Sequence, residues 1–507
     1  MKDLTGRFAE TYQVYLEEYM KYLLGIDQGT TQTTAVVVDE LGGMIKKHSA
    51  QLPARFPQAG WVEQEPEDIV RTVREACAPL VSKYEISAVG FDNQGETFVV
   101  WDAETGEAVT PAIVWQDTRG QSVCDSLASS VDLAWLRQTT GLLLDSYFSA
   151  PKLKWVFENN PEIRKRAHEG KLKFGTTETW VIWKLSGRKL HVTDPSTSSR
   201  TLLFDMNKFQ WDEKLLQLFD VPKSMLPEVK PSAGYIGDVD FVGQGSALPL
   251  HALLVDQQAA LFGQACFKPG EMKCSFGTGS FLLMNIGDKP KLSNNGLLTT
   301  VGWNFNGHTV YAFDGGIFVT GSAVQWLRDN LKFIPDSAAS HQAAGKSKDT
   351  GVVVVPALQG LAAPHWRTDV QGAMFGLNRS TTSDDIVRAT LDGIACRVYE
   401  VVTAMSQDSD TPPPYLKVDG GPAGNPYLMQ MISDLLNLEV HVSASVEATA
   451  IGIANLAGVS ALGTNFDQLA GNWKAEKVYT PMMKEDEKAK KLERWNKALD
   501  AVKKFHE

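Results

Sequence analysis

Two short stretches of this 507-residue chain set glycine and threonine between apolar runs. In the first, Asp27-Gln28-Gly29-Thr30-Thr31 lies between Leu23, Leu24 and Ile26 on one side and Ala35, Val36, Val37 and Val38 on the other. This reads as strand, tight turn, strand. Such a turn aims backbone N–H groups and Thr hydroxyls into one concavity, which suits an anion such as phosphate; a plain polar hairpin turn is the structural alternative. Asp27 would repel a phosphate, but it could hold the Mg²⁺ that travels with ATP, directly or through water. The second stretch, MKCSFGTGSFLLMNIG at 272–287, repeats the device with Gly277-Thr278-Gly279 at its turn. Two such hairpins suggest two related half-molecules closing on a nucleotide between them.

A third candidate is Asp256, which ends the apolar run at 249–255 and precedes the helical-looking AALFGQA. It could be a helix N-cap, or a general base at the carboxyl end of a strand, where ligands of α/β folds gather. The two roles are compatible. The polar turn Asp92-Asn93-Gln94-Gly95-Glu96-Thr97, between apolar runs at 86–91 and 98–101, suits hydrogen bonding to a small hydroxylated ligand or to solvent. Trp115, ending an apolar run at 112–115, and Tyr147, in a loop ahead of a helix with Lys152 and Trp155, read as core or rim aromatics or as ligand walls.

The elements that must position these groups follow in order. A helix starts near Glu65-Pro66. Further strands are expected at 352–355, ended by Pro356, and at 415–418, running into Asp419-Gly420-Gly421, where glycines let a ligand lie against the backbone. Asn425-Pro426 then has the form of an N-cap and first helical residue. Leu492, Trp495, Leu499, Val502 and Phe505 stripe one face of a charged C-terminal helix. SHQAAGKS at 340–347 ends like a phosphate loop, but Ser340 replaces its first glycine and no strand precedes it. GTGSFL at 277–282 lacks the third glycine of a dinucleotide fingerprint.

The length predicts two domains, with a boundary near Gly263. The expected organisation is an extension at 1–21, a domain at 22–263 and a domain at 264–507. A net charge of −11 argues against nucleic acid or an anionic membrane surface as partner. No uncharged run is long enough to span a bilayer. The five cysteines are odd in number and never form a C-x-x-C pair, which predicts reduced thiols, neither disulfide framework nor zinc site, and a cytoplasmic location. Charges interrupt the first 20 residues, so no signal peptide is expected there. Phe8, Tyr12, Tyr15 and Tyr19 would share one face of a short docking helix, and Met20 is an alternative initiator.

With these pieces placed, the chain resembles the FGGY carbohydrate kinases, and within them most closely the glycerol kinases. YFSAPKLKWVFEN (147–159) and GAMFGLNRSTTSDDIVRATLD (372–392) look like the family's two diagnostic segments. IDQGTTQT, FPQAGWVE, AIVWQ, SRTLLFD, DQQAALFGQ, FGTGSFLLMN, GSAVQWLRD and VDGG are similar to glycerol kinase in order and spacing. The resemblance implies an α/β fold of two ribonuclease-H-like domains, of the actin, sugar-kinase and heat-shock-chaperone type, with ATP in the interdomain cleft. It implies that Thr30, Thr31 and Gln32 line the first phosphate loop and Thr278 the second. Gly321, Gln325, Gly421 and Asn425 match nucleotide-contacting positions. Glu96, Tyr147, Asp256 and Gln257 match positions that hold a polyol, with Trp115 and Phe281 against its carbons. Asp256 would be the catalytic base, an aspartate ionised at neutral pH if its pKa is the ordinary ~4. The resemblance also suggests a homodimer.

The departures matter for specificity. Glycerol kinases usually read NQRET where this chain has Gly95, so a substrate-binding arginine is missing, and Thr34 stands where an arginine is common. The expectation is that Gly95 opens room for one or two more CHOH units. The acceptor is then glycerol or a longer polyol or sugar, such as erythritol, threitol, xylitol or a ketopentose; if another cationic side chain reaches in from elsewhere, glycerol remains the substrate. The segment through which some glycerol kinases bind fructose 1,6-bisphosphate is here Gly243-Gln244-Gly245-Ser246-Ala247-Leu248, so feedback by that sugar is not expected. A nucleotide-gated sensor on the same fold is the alternative from another class; intact Asp27, Asp256 and Gly277-Thr278-Gly279 favour an enzyme.

Overall fold

The first hairpin forms as its sequence predicts: Tyr22–Gln28 pairs antiparallel with Gln32–Asp39, and Leu24, Ile26 and the 35–38 run are fully buried. This computed structural model describes residues 20–507; the helix expected from Phe8, Tyr12, Tyr15 and Tyr19 lies outside them.

Around the hairpin a six-stranded sheet assembles in the order Ala233–Val239, Leu248–Val255, Ile86–Asn93, Tyr22–Gln28, Gln32–Asp39, Met44–Gln51. Its three central strands are mutually parallel. Their register sets Asp27 beside Asp92 and ends Val255 beside Asn93, so Asp27, Asp92 and Asp256 emerge together at the carboxyl edge. A crevice at that edge is where open α/β sheets bind ligands.

The second sheet repeats the plan with one more strand. The hairpin Met272–Phe276 and Ser280–Gly287 continues antiparallel through His308–Ile317 to Leu298–Phe305. On its other side Leu416–Gly420 and Val440–Ser443 run parallel to it, and Ala475–Tyr479 closes the edge antiparallel. The chain is thus two ribonuclease-H-like lobes of α/β type, as expected.

Two helices, Asp256–Gly263 and Ala448–Leu462, cross between the lobes, and the second packs onto the first sheet through Ile453, Ala454 and Leu456. Close approach here depends on glycine. A Cβ on Gly263 would overlap the carbonyl oxygen of Ala448, and one on Gly452 that of Ala259. Gly25 and Gly90 lie in the same way under Ala450 and Ile453.

Several local expectations are corrected. Only Ala112–Ile113 of the 112–115 run pairs as strand, because the Trp115 N–H donates to Thr97 Oγ1 at 3.0 Å. The N-cap ahead of Asp256 is Val255; Asp256 is the first helical residue, and its carboxylate accepts the Gln257 N–H at 2.7 Å. SHQAAGKS, set aside as a phosphate loop on sequence grounds, does fall mostly in a helix, Ala339–Lys346. The C-terminal helix Glu485–Phe505 buries Trp495, Leu499 and Val502, but the stripe stops short of Phe505, which is 84% exposed. Asn425 caps Pro426–Leu436 as read, accepting the Leu428 N–H at 3.1 Å.

Candidate active site

The floor of the site is the carboxylate group at the edge of the first sheet. Burial and neighbouring Asp256 raise the pKa of Asp27 to about 7. Asp92 is fully buried, no N–H or hydroxyl group donates to its carboxylate, and burial together with the adjoining Asp27 carboxyl, to which it is hydrogen-bonded, holds its pKa well above the ordinary range. Asp256 is part-exposed. Its pKa is raised to about 6 by loss of water and by Glu96, against the pull of Lys273. The ordinary ~4 expected for this aspartate is therefore corrected, because its surroundings disfavour charge. At neutral pH it is still mostly ionised.

Lys273, from the second sheet, is completely buried and donates to Gln257 Oε1 at 2.5 Å and Ser275 Oγ at 3.1 Å. With its oxygen taken, the Gln257 amide turns its nitrogen to Asp256 Oδ2 at 3.2 Å. A second-lobe lysine thus sets the orientation of two first-lobe residues. Nothing in the spacing of Lys273 announced this, since the contact joins strand to helix across the lobes.

The first turn closes by Gly29 N–H donating to the Gln32 carbonyl at 3.0 Å. Thr31 and Gln32 are exposed, whereas Thr30 is held by Trp115 Nε1, which donates to its hydroxyl at 2.9 Å. The second turn closes by Gly277 N–H on the Gly279 carbonyl at 2.7 Å. The Thr278 carbonyl accepts from Thr320 N–H at 2.9 Å and Ser322 N–H at 3.1 Å, which seats the turn on the start of helix Gly321–Asp329. Gly321 packs against Gly277 and Pro422, so Thr278, Gly321 and the segment of Gly421 share one wall. Gln325 is exposed on that helix, and a Cβ at Gly421 would meet nothing within 4 Å.

The aromatic wall spans the lobes. Trp115 meets Tyr147 edge to face at 5.7 Å between ring centroids and Phe281 at 5.9 Å. Behind it the buried Lys152 donates to the carbonyls of Tyr147 at 2.9 Å, Trp115 at 3.2 Å and Val114 at 3.4 Å, and burial lowers its pKa to about 8. In the polar turn, Gln94 is spent on Gln64 and Thr97, while Glu96 receives Arg200 Nε at 2.7 Å. The room expected at Gly95 is absent: a Cβ there would stand 2.6 Å from Val255 Cγ2 and 3.7 Å from Arg200 Cγ. Thr34 is buried and bonded to Ser49.

Two lobes, each opening on a Gly/Thr turn, with a carboxylate floor and an aromatic pocket between them, define a nucleotide-dependent phosphotransferase of the sugar-kinase type. Residues 22–263 match the FGGY family of carbohydrate kinases, N-terminal domain, and residues 272–461 its C-terminal domain. The chain belongs to the FGGY family of carbohydrate kinases and is an ATP-dependent kinase. It is 44% identical over 489 residues to a glycerol kinase of Halorhodospira halophila (94% of this chain, 96% of the relative). It is 45% identical over 487 residues to one of Agathobacter rectalis (94% and 98%). The crystal structure of Plasmodium falciparum glycerol kinase with ADP superposes with a TM-score of 0.88 at 35% identity, covering 95% of this chain and 98% of that one. A gluconate kinase of Lactobacillus acidophilus, at 21% identity and TM-score 0.86 over 96% and 98% of the two chains, shares the fold. Among the described residues, no helix is long and apolar enough to cross a membrane.

Proposed function

We propose that the chain transfers the γ-phosphoryl group of ATP to a terminal hydroxyl of glycerol. The observation that carries this reading is the occupied space at Gly95, where a Cβ would stand 2.6 Å from Val255 Cγ2 with the Arg200 stem at 3.7 Å, so the missing arginine leaves no gap beside the backbone for a longer acceptor to fill. Relatives named glycerol kinase, matched over nearly the whole chain, support it. Asp256 would take the proton of the attacking hydroxyl, with Gln257 and Glu96 holding the acceptor's hydroxyls and Trp115, Tyr147 and Phe281 covering its carbons. Thr30, Thr31 and Gln32 on one side and Thr278 on the other would bind phosphate oxygens, and Gly321, Gln325, Gly421 and Asn425 the rest of the nucleotide. Transfer passes through a loose transition state, so these residues act by positioning and by stabilising charge. Closure of the lobes would exclude water, the competing acceptor.

The carboxylate floor fits a nucleotide-bound Mg²⁺. No group of three or more His, Cys, Asp or Glu among the described residues makes a metal cage, yet the part-exposed Asp27 stands beside the buried Asp92, whose carboxylate no N–H or hydroxyl group neutralises. Mg²⁺ is commonly held by one or two carboxylates plus substrate phosphates; Asp27 would hold it here, and the ion would offset charge on the β- and γ-oxygens. The five cysteines are all free and buried, which supports a reducing, cytoplasmic setting.

A coupled ADP-release assay across glycerol, erythritol, threitol, xylitol and xylulose tests the reading. The highest kcat/KM is expected for glycerol. A longer acceptor ahead of it, or hydrolysis independent of any acceptor, would overturn the assignment.

The base also predicts a pH profile. Asp256 must be ionised to accept a proton, so kcat/KM should fall as pH drops through about 6. Loss of water and the charge of Glu96 push that limb up and Lys273 pulls it down. Lys273→Met should therefore move the acid limb to higher pH, besides lowering the rate by freeing Gln257. An acid limb that stays put in this variant would remove Lys273 from control of the base.

Fructose 1,6-bisphosphate is expected to leave the rate unchanged. The Asp240 carboxylate already takes the N–H groups of Gly243 and Gly245, each at 2.7 Å, and its charge repels phosphate. Inhibition by this sugar in the ADP-release assay would show that the segment can open.

A further inference from the structure

We infer that Arg200 provides the guanidinium that reads the acceptor's hydroxyls, in place of any side chain at position 95. This rests on the assignment of glycerol as acceptor. Arg200 follows the short helix Pro195–Ser198, more than a hundred residues from the polar turn, yet its stem lies 3.7 Å from where a Cβ on Gly95 would stand. A longer side chain at 95 and Arg200 would compete for one space. The Arg200 side chain is 4% exposed and the guanidinium lies over the Tyr147 ring at 5.6 Å. It lies as close to the ring of buried Phe148, at 5.5 Å, so it reaches the aromatic wall through Tyr147, the ring that also meets Trp115.

The hydrogen bonding of Arg200 is incomplete in a way that points to a ligand. Nε donates to Glu96 Oε1 at 2.7 Å. Nη1 comes within 2.9 Å of Asp314 Oδ2, on strand His308–Ile317 of the second lobe, but at angles that make no hydrogen bond, so this buried donor has no hydrogen-bond partner. Buried guanidinium N–H groups are rarely left unpaired, because desolvating one without an acceptor is costly. A hydroxyl oxygen of the acceptor, beside Glu96, would satisfy it. Arg200 also bridges Glu96 of one lobe and Asp314 of the other, so the donor is set only when both lobes contribute.

A purely structural ion-pair bridge would slow every acceptor alike, whereas a hydroxyl-reading arginine discriminates between acceptors. The test compares kcat/KM for glycerol, 1,2-propanediol and 1,3-propanediol in the native enzyme, Arg200→Lys and Arg200→Gln. The native enzyme should prefer glycerol to at least one diol. In both variants that preference should shrink by about tenfold or more, the scale of a charge-assisted hydrogen bond, with the KM for ATP unchanged. Equal losses on all three acceptors, with the preference intact, would overturn the role. Removing one member of a buried ion pair can also unfold a protein, so Asp314→Asn is a second arm. It keeps Arg200 and Glu96 and removes the charge that draws Nη1 towards the second lobe, and the preference for glycerol should widen; an unchanged preference counts against the proposal. A native enzyme that ignores glycerol sinks the functional assignment and this inference with it. Use of glycerol with an Arg200-independent preference sinks the inference alone.

Discussion

Asp256→Asn is expected to fold normally, bind ATP as the native chain does, and turn over at about a thousandth of the native rate or less, towards the upper end of general-base effects. The substitution preserves shape. Asn can still hold its place at the first turn of the helix Asp256–Gly263 and accept the Gln257 N–H that Asp256 accepts at 2.7 Å. What it loses is the ability to take a proton. The loss should appear in kcat more than in the KM for either substrate, since hydroxyls can still bond to an amide. It should also abolish the acid limb near pH 6, because no titrating base remains. Near-native turnover in Asp256→Asn would remove this residue from the base role and direct attention to Asp27 or Asp92.

Gly452→Val should destabilise the chain by about 3 kcal/mol, the upper end of overpacking costs in a closed contact. The helices Asp256–Gly263 and Ala448–Leu462 meet backbone to backbone, and a Cβ at 452 overlaps the Ala259 carbonyl with Gly263 directly behind it. Neither partner is a flexible side chain that could swing away, so a whole helix must shift. Because one of these helices begins with Asp256, activity should fall beyond what the lost stability explains. The measurement is the denaturation midpoint, followed by kcat at a temperature where the variant is fully folded. A midpoint within error of native would show that the crossing is looser than this geometry, and that its glycines are incidental.

Much of this architecture was legible in the chain because local chemistry specifies it. Leu23, Leu24, Ile26 and the 35–38 run can only be buried strands, and the Gly/Thr turns between such strands recur at Gly277-Thr278-Gly279. Pro66 and Asn425-Pro426 start helices where those residue types fit a first turn. Expectations failed where a residue's neighbours come from far along the chain. The strand at 112–115 shortened because Thr97 took the Trp115 N–H, and Phe505 stayed outside because the helix end docks through the next residue, His506, whose ring accepts the Gln371 N–H at 3.2 Å.

The site divides in the same way. Asp27, Glu96, Asp256 and the two turns could be picked out by type, since acids and glycines at strand ends carry chemistry wherever they occur. Their mutual placement comes from parallel register, which sets Asp27 beside Asp92 and Asp256 one residue past the partner of Asn93. Only the tertiary structure could decide what fills the space at Gly95. A missing arginine read from sequence alone implies a larger pocket, but Val255 and Arg200, from two distant segments, converge on that space. Lys152 and Lys273 were equally silent in the sequence, because a buried lysine acquires its role from the carbonyls and amides that surround it. Residue type is local information; the desolvation and pairing that turn a type into a function are set by whichever strands and helices the fold brings alongside.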